Sequence, residues 1–176
     1  FTDKNNLYVA LSDVAGFVMK EYTAKYGQPM NLMVREGIHC TIIQQSRTGK
    51  LVEYVAPLLS NMPFYACGGG KVLLSELPVS LVEQIINSCE MVPLTSHTIT
   101  SPHVSTRGYA FDDRESSENG SCIAVPVRDN EGTIIASLSF TGFVGIQDPN
   151  TLLDFLAPLQ EASKKISQSL YRCWNW

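Results

Sequence analysis

Apolar residues recur at helical spacing from Leu7 to Tyr26, at Leu7, Leu11, Val14, Val18 and Tyr22, which predicts an amphipathic helix with one inward face. Gly27, followed two residues on by Pro29, stops it, because Gly accepts a left-handed C-cap and Pro cannot continue the helix. The pattern then shortens. Residues 30–35, 38–45 and 50–56 are brief apolar or β-rich runs separated by Glu36-Gly37 and by the turn residues 47–50, and they predict three strands in meander. Beyond a glycine-rich stretch, 71–77 predicts a helix ended by Pro78, and Ser80 with Glu83 three residues on supplies a capping box for a second helix. Residues 107–111, 122–127 and 133–140 predict strands, the last two joined by the Gly-containing turn 128–132. Asp148-Pro149 pairs an N-cap with a first-turn proline, opening a closing helix with Leu152, Leu153, Leu156, Leu159, Ala162 and Ile166 inward. Pro158 should kink or divide that helix.

Strands joined by short turns pair antiparallel, so the order helix, three strands, helices, three strands, helix predicts an α+β domain on a sheet of about six strands. With 176 residues, 44% hydrophobic and 17% charged, residues 1–176 form one globular domain with a sizeable core. No apolar run approaches the roughly twenty residues of a membrane span, and residues 1–6 carry no secretory apolar region. Net charge is −4 and the isoelectric point about 5.3, with Lys and Arg scattered. That is no phosphate-backbone footprint, so this piece alone is not expected to bind DNA. The five cysteines, Cys40, Cys67, Cys89, Cys122 and Cys173, contain no C-x-x-C pair, a pattern that fits reduced thiols in a cytoplasm, each by default a small buried hydrophobe. A chain that opens on Phe1 is expected to belong to something longer.

Three consecutive glycines, Gly68, Gly69 and Gly70, stand directly before Lys71. A phosphate loop of the Walker type is excluded, since Tyr65 occupies its first glycine position and Val72 its hydroxyl position. Two readings stay open: bare amides that approach an anion closely, or a tight turn between strand and helix. His39 and Cys40 are neighbours in a strand and face opposite ways, and His97 and His103 lie in a polar loop, so no metal site or cofactor is expected. Cys67 and Cys122 have no neighbouring His to serve as base, and no G-x-S-x-G elbow occurs. Asp112, Asp113 and Glu115 predict one acid turned inward and the rest solvated. Ser137, Ser139 and Thr141 share one strand face, with Cys122 opening the strand paired to it. If that face is outward, the hydroxyls are surface; if inward, they line a small polar pocket of the kind that holds a metabolite.

Residues 63–74 (PFYACGGGKVLL), 98–100 (TIT), 107–113 (RGYAFDD), 120–127 (GSCIAVPV) and 135–139 (IASLS) resemble, in order and mostly in spacing, the C-terminal effector-binding domain of IclR-type bacterial transcription regulators. The resemblance runs over nearly the whole chain. It implies a GAF/PAS-like (profilin-like) domain that binds small metabolites and follows a winged helix-turn-helix, which would lie before Phe1. In members that sense small oxo-acids, the ligand is held by loop amides, an Asp, the Cys of the C-I-A block and two hydroxyls on the next strand. On this chain the resemblance implies Cys67, Gly68, Gly69, Gly70, Asp112, Cys122, Ser139 and Thr141 as the effector-binding set. The bare glycines favour a short carboxylate. Two departures stand out. Thr141 replaces the more usual Ser, narrowing the space by a methyl group. The family also places a helix between T-I-T and R-G-Y, where only residues 101–106 intervene, about two helical turns fewer; either that helix is lost or residues have dropped out.

The resemblance thus implies a cytoplasmic, non-enzymatic repressor domain that senses a glyoxylate- or pyruvate-like acid or a sugar acid, as a homodimer or homotetramer. It reaches DNA only through the preceding domain and has no membrane partner. Two rival readings differ in class: a redox sensor or thiol enzyme using Cys67 or Cys122, and a dimerisation module without a ligand.

Overall fold

The computed structural model describes residues 3–99, 107–145 and 148–174. The first helix, α1 (Lys4–Tyr26), begins three residues earlier than its apolar pattern, because Asp3 caps it by accepting from the Asn5 amide. Its stop is the expected one, with Gly27 at φ +67° donating its N–H to the Thr23 carbonyl. Its buried stripe runs Leu7, Leu11, Ala15, Met19 and Tyr22, one position round from the predicted Val14 and Val18, which are half-buried on its flank.

Two long strands follow, β1 (Met30–Glu36) and β2 (His39–Ser46), turning at Gly37. The third expected strand, 50–56, does not form. Instead Glu53 accepts from the Thr48 amide, the Thr48 hydroxyl and Arg47, closing 47–53 into a loop that leaves Leu51 fully exposed. The β2 edge is taken by the two-residue β3 (Asn61–Met62). Helix α2 (Gly68–Leu74) contains the glycines rather than following them, and it ends before Leu77. Helix α3 (Val79–Ser88) starts from Pro78 with no side-chain cap, so the predicted Ser80–Glu83 box is absent: Ser80 already lies inside the helix.

The second half supplies β4 (Ala110–Asp113), β5 (Gly120–Arg128) and β6 (Ile134–Phe143). β4 sits about three residues later than its apolar pattern suggested. Between β5 and β6, Asp129 receives the amides of Glu131 and Thr133, and Gly132 takes φ +85°, as the hairpin turn demands. Asp148 caps a 3-10 segment (Pro149–Phe155) that passes into α4 (Leu156–Trp174). The change occurs two residues before Pro158, whose missing N–H is tolerated in the first α-helical turn. Leu152, Leu159, Ala162 and Ile166 are buried as expected, but Leu153 is 44% exposed, because the 3-10 segment turns it away from the core.

The six strands form one antiparallel sheet in the order β3-β2-β1-β6-β5-β4. β1 and β6 pair at its centre, joining the two halves of the chain. α1 and α4 cover one face, where Met30, Leu32, Val34, Ile123, Val125, Val127, Leu138 and Phe140 make an apolar core with both helices. α2 and α3 lie on the other face. Among the described residues no helix is long and apolar enough to cross a membrane.

Candidate functional site

The two faces of the sheet differ in chemistry because a strand alternates its side chains. On the face away from α1 and α4, the cross-strand partners are Asn31 with Ser139, Met33 with Ser137, Cys122 with Thr141, and Asp112 with Cys122. Ser137, Ser139, Thr141, Asn31 and Asp112 are all nearly inaccessible to solvent. Burying that many polar groups is costly unless each finds a partner.

α2 covers them, and the glycines explain how. A Cβ on Gly68 would lie 3.0 Å from Cys122 Sγ, one on Gly69 2.5 Å from Met33 Sδ and 2.8 Å from Ser137 Oγ, and one on Gly70 2.6 Å from the Phe64 Cα. The helix therefore rests on the sheet with its backbone. Cys67 caps it, its sulfur receiving the Gly70 amide at 3.3 Å, donating to the Pro63 carbonyl at 3.3 Å and lying 3.8 Å from the Cys40 sulfur.

Between α2 and the polar face lies a cavity of about 30 Å³. Of the eight residues expected at an effector site, six stand on its wall: Cys67, Gly69, Asp112, Cys122, Ser139 and Thr141. Gly68 and Gly70 do not. Gly70 has its N–H committed to Cys67 and its Cα against Phe64, and Gly68 packs on Cys122 and Ala124.

Sequence reasoning missed several lining residues: Asn31, Tyr54, Ser116 and Ser121. Asn31 donates to the Thr141 hydroxyl at 3.0 Å and accepts from Gln45 at 2.8 Å. A lone amide inside the apolar run Met30–Val34 was a visible signal for it. Tyr54 lies in the loop mistaken for a strand, its ring packed where a Cβ on Gly120 would meet it at 2.2 Å. Nothing local announces that contact.

Two acids, not one, are buried. Asp112 accepts from the Glu115 amide and the Ser116 hydroxyl, each at 2.7 Å. Glu115 pairs with Lys71 at 2.5 Å, while its other oxygen has no hydrogen-bond partner among the described residues. Asp113 is the solvated one, paired with Arg114. Burial raises the Asp112 pKa from 3.8 to about 6 against the two hydrogen bonds, with Glu115 adding to the rise and Lys71 opposing it. The Cys67 thiol is pushed well up by its contact with Cys40 and by burial, and Cys122 by burial and then by the Asp112 charge. A reactive thiolate needs a cation beside it, and these surroundings work the other way.

His97 is exposed, 3.3 Å from Glu118, and His39 is exposed too. Thr100, residues 101–106 with His103, and the Cys173 side chain lie outside the described residues. Among the described residues no group of His, Cys, Asp and Glu gathers to hold a metal ion.

The profile of the family described as "Bacterial transcriptional regulator IclR C-terminal" matches residues 8–168. The chain belongs to this family. Its IclR-type relatives include the HTH-type transcriptional repressor AllR of Klebsiella pneumoniae, 28% identical over 165 residues that cover 89% of this chain and 61% of the relative. The chain thus spans about three fifths of that curated relative. The C-terminal domain of the Escherichia coli regulator KdgR superposes with a TM-score of 0.79 at 27% identity, over 92% of this chain and 98% of that one. A double mutant of the inducer-binding domain of the Acinetobacter regulator PobR, in complex with 3-hydroxybenzoic acid, superposes at 0.80 and 24% identity, over 89% of this chain and 97% of that one. The fold is that of IclR C-terminal domains, GAF/PAS-like, and these are domains of transcription regulators.

Proposed function

We propose that this domain is the effector sensor of an IclR-type repressor, and that its ligand is a short carboxylic acid held between α2 and the hydroxyl face of β6. One observation carries the reading: a row of buried hydroxyl, amide and thiol groups roofed by a helix whose glycines bring its backbone against the sheet, with a small cavity left between them. The Ser139 hydroxyl supports it. Among the described residues its one hydrogen bond, to the Asn31 carbonyl, is a long 3.5 Å, which leaves the hydroxyl able to turn toward a ligand.

Size selects the class. At about 10–15 Å³ per water, about 30 Å³ has room for two or so, which suits an acid of two or three carbons rather than a benzoate ring. The Gly69 amide and the hydroxyls of Ser139 and Thr141 would hold the carboxylate, and Cys122 and Asn31 would bound the head group. Ligand binding would then bias the arrangement of paired domains and the DNA-reading segments attached to them. It can do so only by binding one arrangement more tightly, typically by about 1–3 kcal/mol.

Titration calorimetry with glyoxylate, pyruvate, glycolate and 4-hydroxybenzoate tests this. Small acids should bind and the benzoate should not, and Ser139→Ala should weaken the binding at least tenfold. Silence from every small acid, or affinity indifferent to Ser139→Ala, removes the effector from this cavity.

A further inference from the structure

The cavity offers hydroxyls to a carboxylate, yet among the described residues it has no positively charged one on its wall. Among its lining residues there is no Lys, Arg or His, and the single ionisable acid is Asp112, 2% exposed. A nearby cation, Lys71 on α2, is already bound to Glu115 at 2.5 Å and to the Phe111 carbonyl at 3.2 Å. Counting Asp112, Glu115 and Lys71, the buried cluster carries two acids against one base. The other described groups that interact with Asp112 carry no positive charge: Cys67 at the start of α2, Cys122 on β5, and Glu115 and Ser116 in the loop after β4.

An anion entering such a site meets an uncompensated like charge. Two carboxylates sharing a site cannot both stay ionised without strong mutual destabilisation, and one of them takes a proton. Asp112 is the one placed to do so, since its two partners, although they favour the carboxylate, can still engage the protonated acid. The Glu115 amide needs only an acceptor oxygen, and the Ser116 hydroxyl can reverse to accept from a protonated carboxyl.

We infer that the cavity takes its acid together with one proton, Asp112 being ionised in the empty domain and neutral in the complex. The ligand is therefore a monocarboxylate that accepts a hydrogen bond from the Asp112 carboxyl, and its affinity follows pH as well as concentration. This rests on the reading of the cavity as an effector site. The burial that already lifts Asp112 to about 6 leaves it mostly ionised at neutral pH and ready to protonate when a second negative charge arrives.

Calorimetry of glyoxylate and pyruvate in phosphate and in Tris, two buffers of different ionisation enthalpy, counts the protons. Uptake should approach one per ligand at pH 8 and fall toward zero at pH 5. The dissociation constant should rise about tenfold per pH unit above pH 6 and level off below it, as linkage to one proton requires. Asp112→Asn, neutral at every pH, should bind with a pH-independent constant and no uptake. Binding at pH 8 with less than half a proton taken up overturns the inference, as does Asp112→Asn that keeps the wild-type uptake. The wild-type buffer pair decides alone should that variant fail to fold. If neither acid binds anywhere from pH 5 to 8, the effector reading falls and this inference falls with it; binding without protons sinks only the inference.

Discussion

Three adjacent glycines with three different neighbours allow residue-level contacts to be compared directly. The Cβ of Gly70→Ala would meet the Phe64 backbone at 2.6–3.0 Å, atoms that cannot turn aside, whereas Gly69→Ala meets a Met thioether and a Ser hydroxyl, which can. Overpacking typically costs about 1–3 kcal/mol. Gly70→Ala should therefore reach or exceed the top of that range and Gly69→Ala fall near the bottom, as measured by urea midpoints at constant slope. Asp112 gives the second comparison. Its folded pKa is raised, so its contribution to stability is fully present below the unfolded value of 3.8 and is lost as pH rises through about 6. Asp112→Asn should accordingly become more stable than wild type on going from pH 4 to pH 8, by up to about 3 kcal/mol; an unchanged difference across that range would mean the carboxyl is not held as described. The cysteines give the third. Cys40 and Cys67 are buried, and the thiols of Cys67 and Cys122 are pushed up, while Cys89 is half-buried. Of these four, Cys89 should be alkylated first at neutral pH, and rapid labelling of Cys67 or Cys122 would revive the thiol-enzyme reading.

At the scale of elements, α4 shows how periodicity is read correctly and then locally overruled. Leu159, Ala162 and Ile166 follow the predicted stripe, but Leu153 precedes the α-helix in a 3-10 turn with a different rotation per residue. Leu159→Ala should cost about 2–5 kcal/mol through a cavity against α1 and β5, and Leu153→Ala less than about 0.5 kcal/mol, both from chemical denaturation. The 50–56 run fails as a strand for a related reason. Its apolar residues have no partner edge, since Asn61 and Met62 occupy the side of β2, and the Glu53 network closes the chain first. The missing box at Ser80 shows the same competition, because Pro78 already starts α3 two residues earlier.

On the scale of the whole molecule, the domain is one sheet between two unequal covers. The long helices α1 and α4 seal an apolar face, and the short α2 and α3 leave room over a polar one. A ligand bound there at 100 times its dissociation constant should stabilise the domain by about 2.7 kcal/mol, seen as a raised melting temperature with pyruvate or glyoxylate and lost in Thr141→Val, which removes the hydroxyl joined to Asn31. The helices, the hairpin at Gly132, the α+β class and the family were legible in the sequence because each rests on local signals: periodicity, caps, turn residues and a contiguous motif. Tyr54 and the Lys71–Glu115 pair were not, since each depends on residues tens of positions apart meeting in the fold. Alternation along β6 alone established that Ser137, Ser139 and Thr141 share a face, but not which way that face turns. Packing decided it: the apolar alternates Leu138 and Phe140 are claimed by α1 and α4, and that leaves the hydroxyls, with Asp112 beside them, facing the glycines of α2.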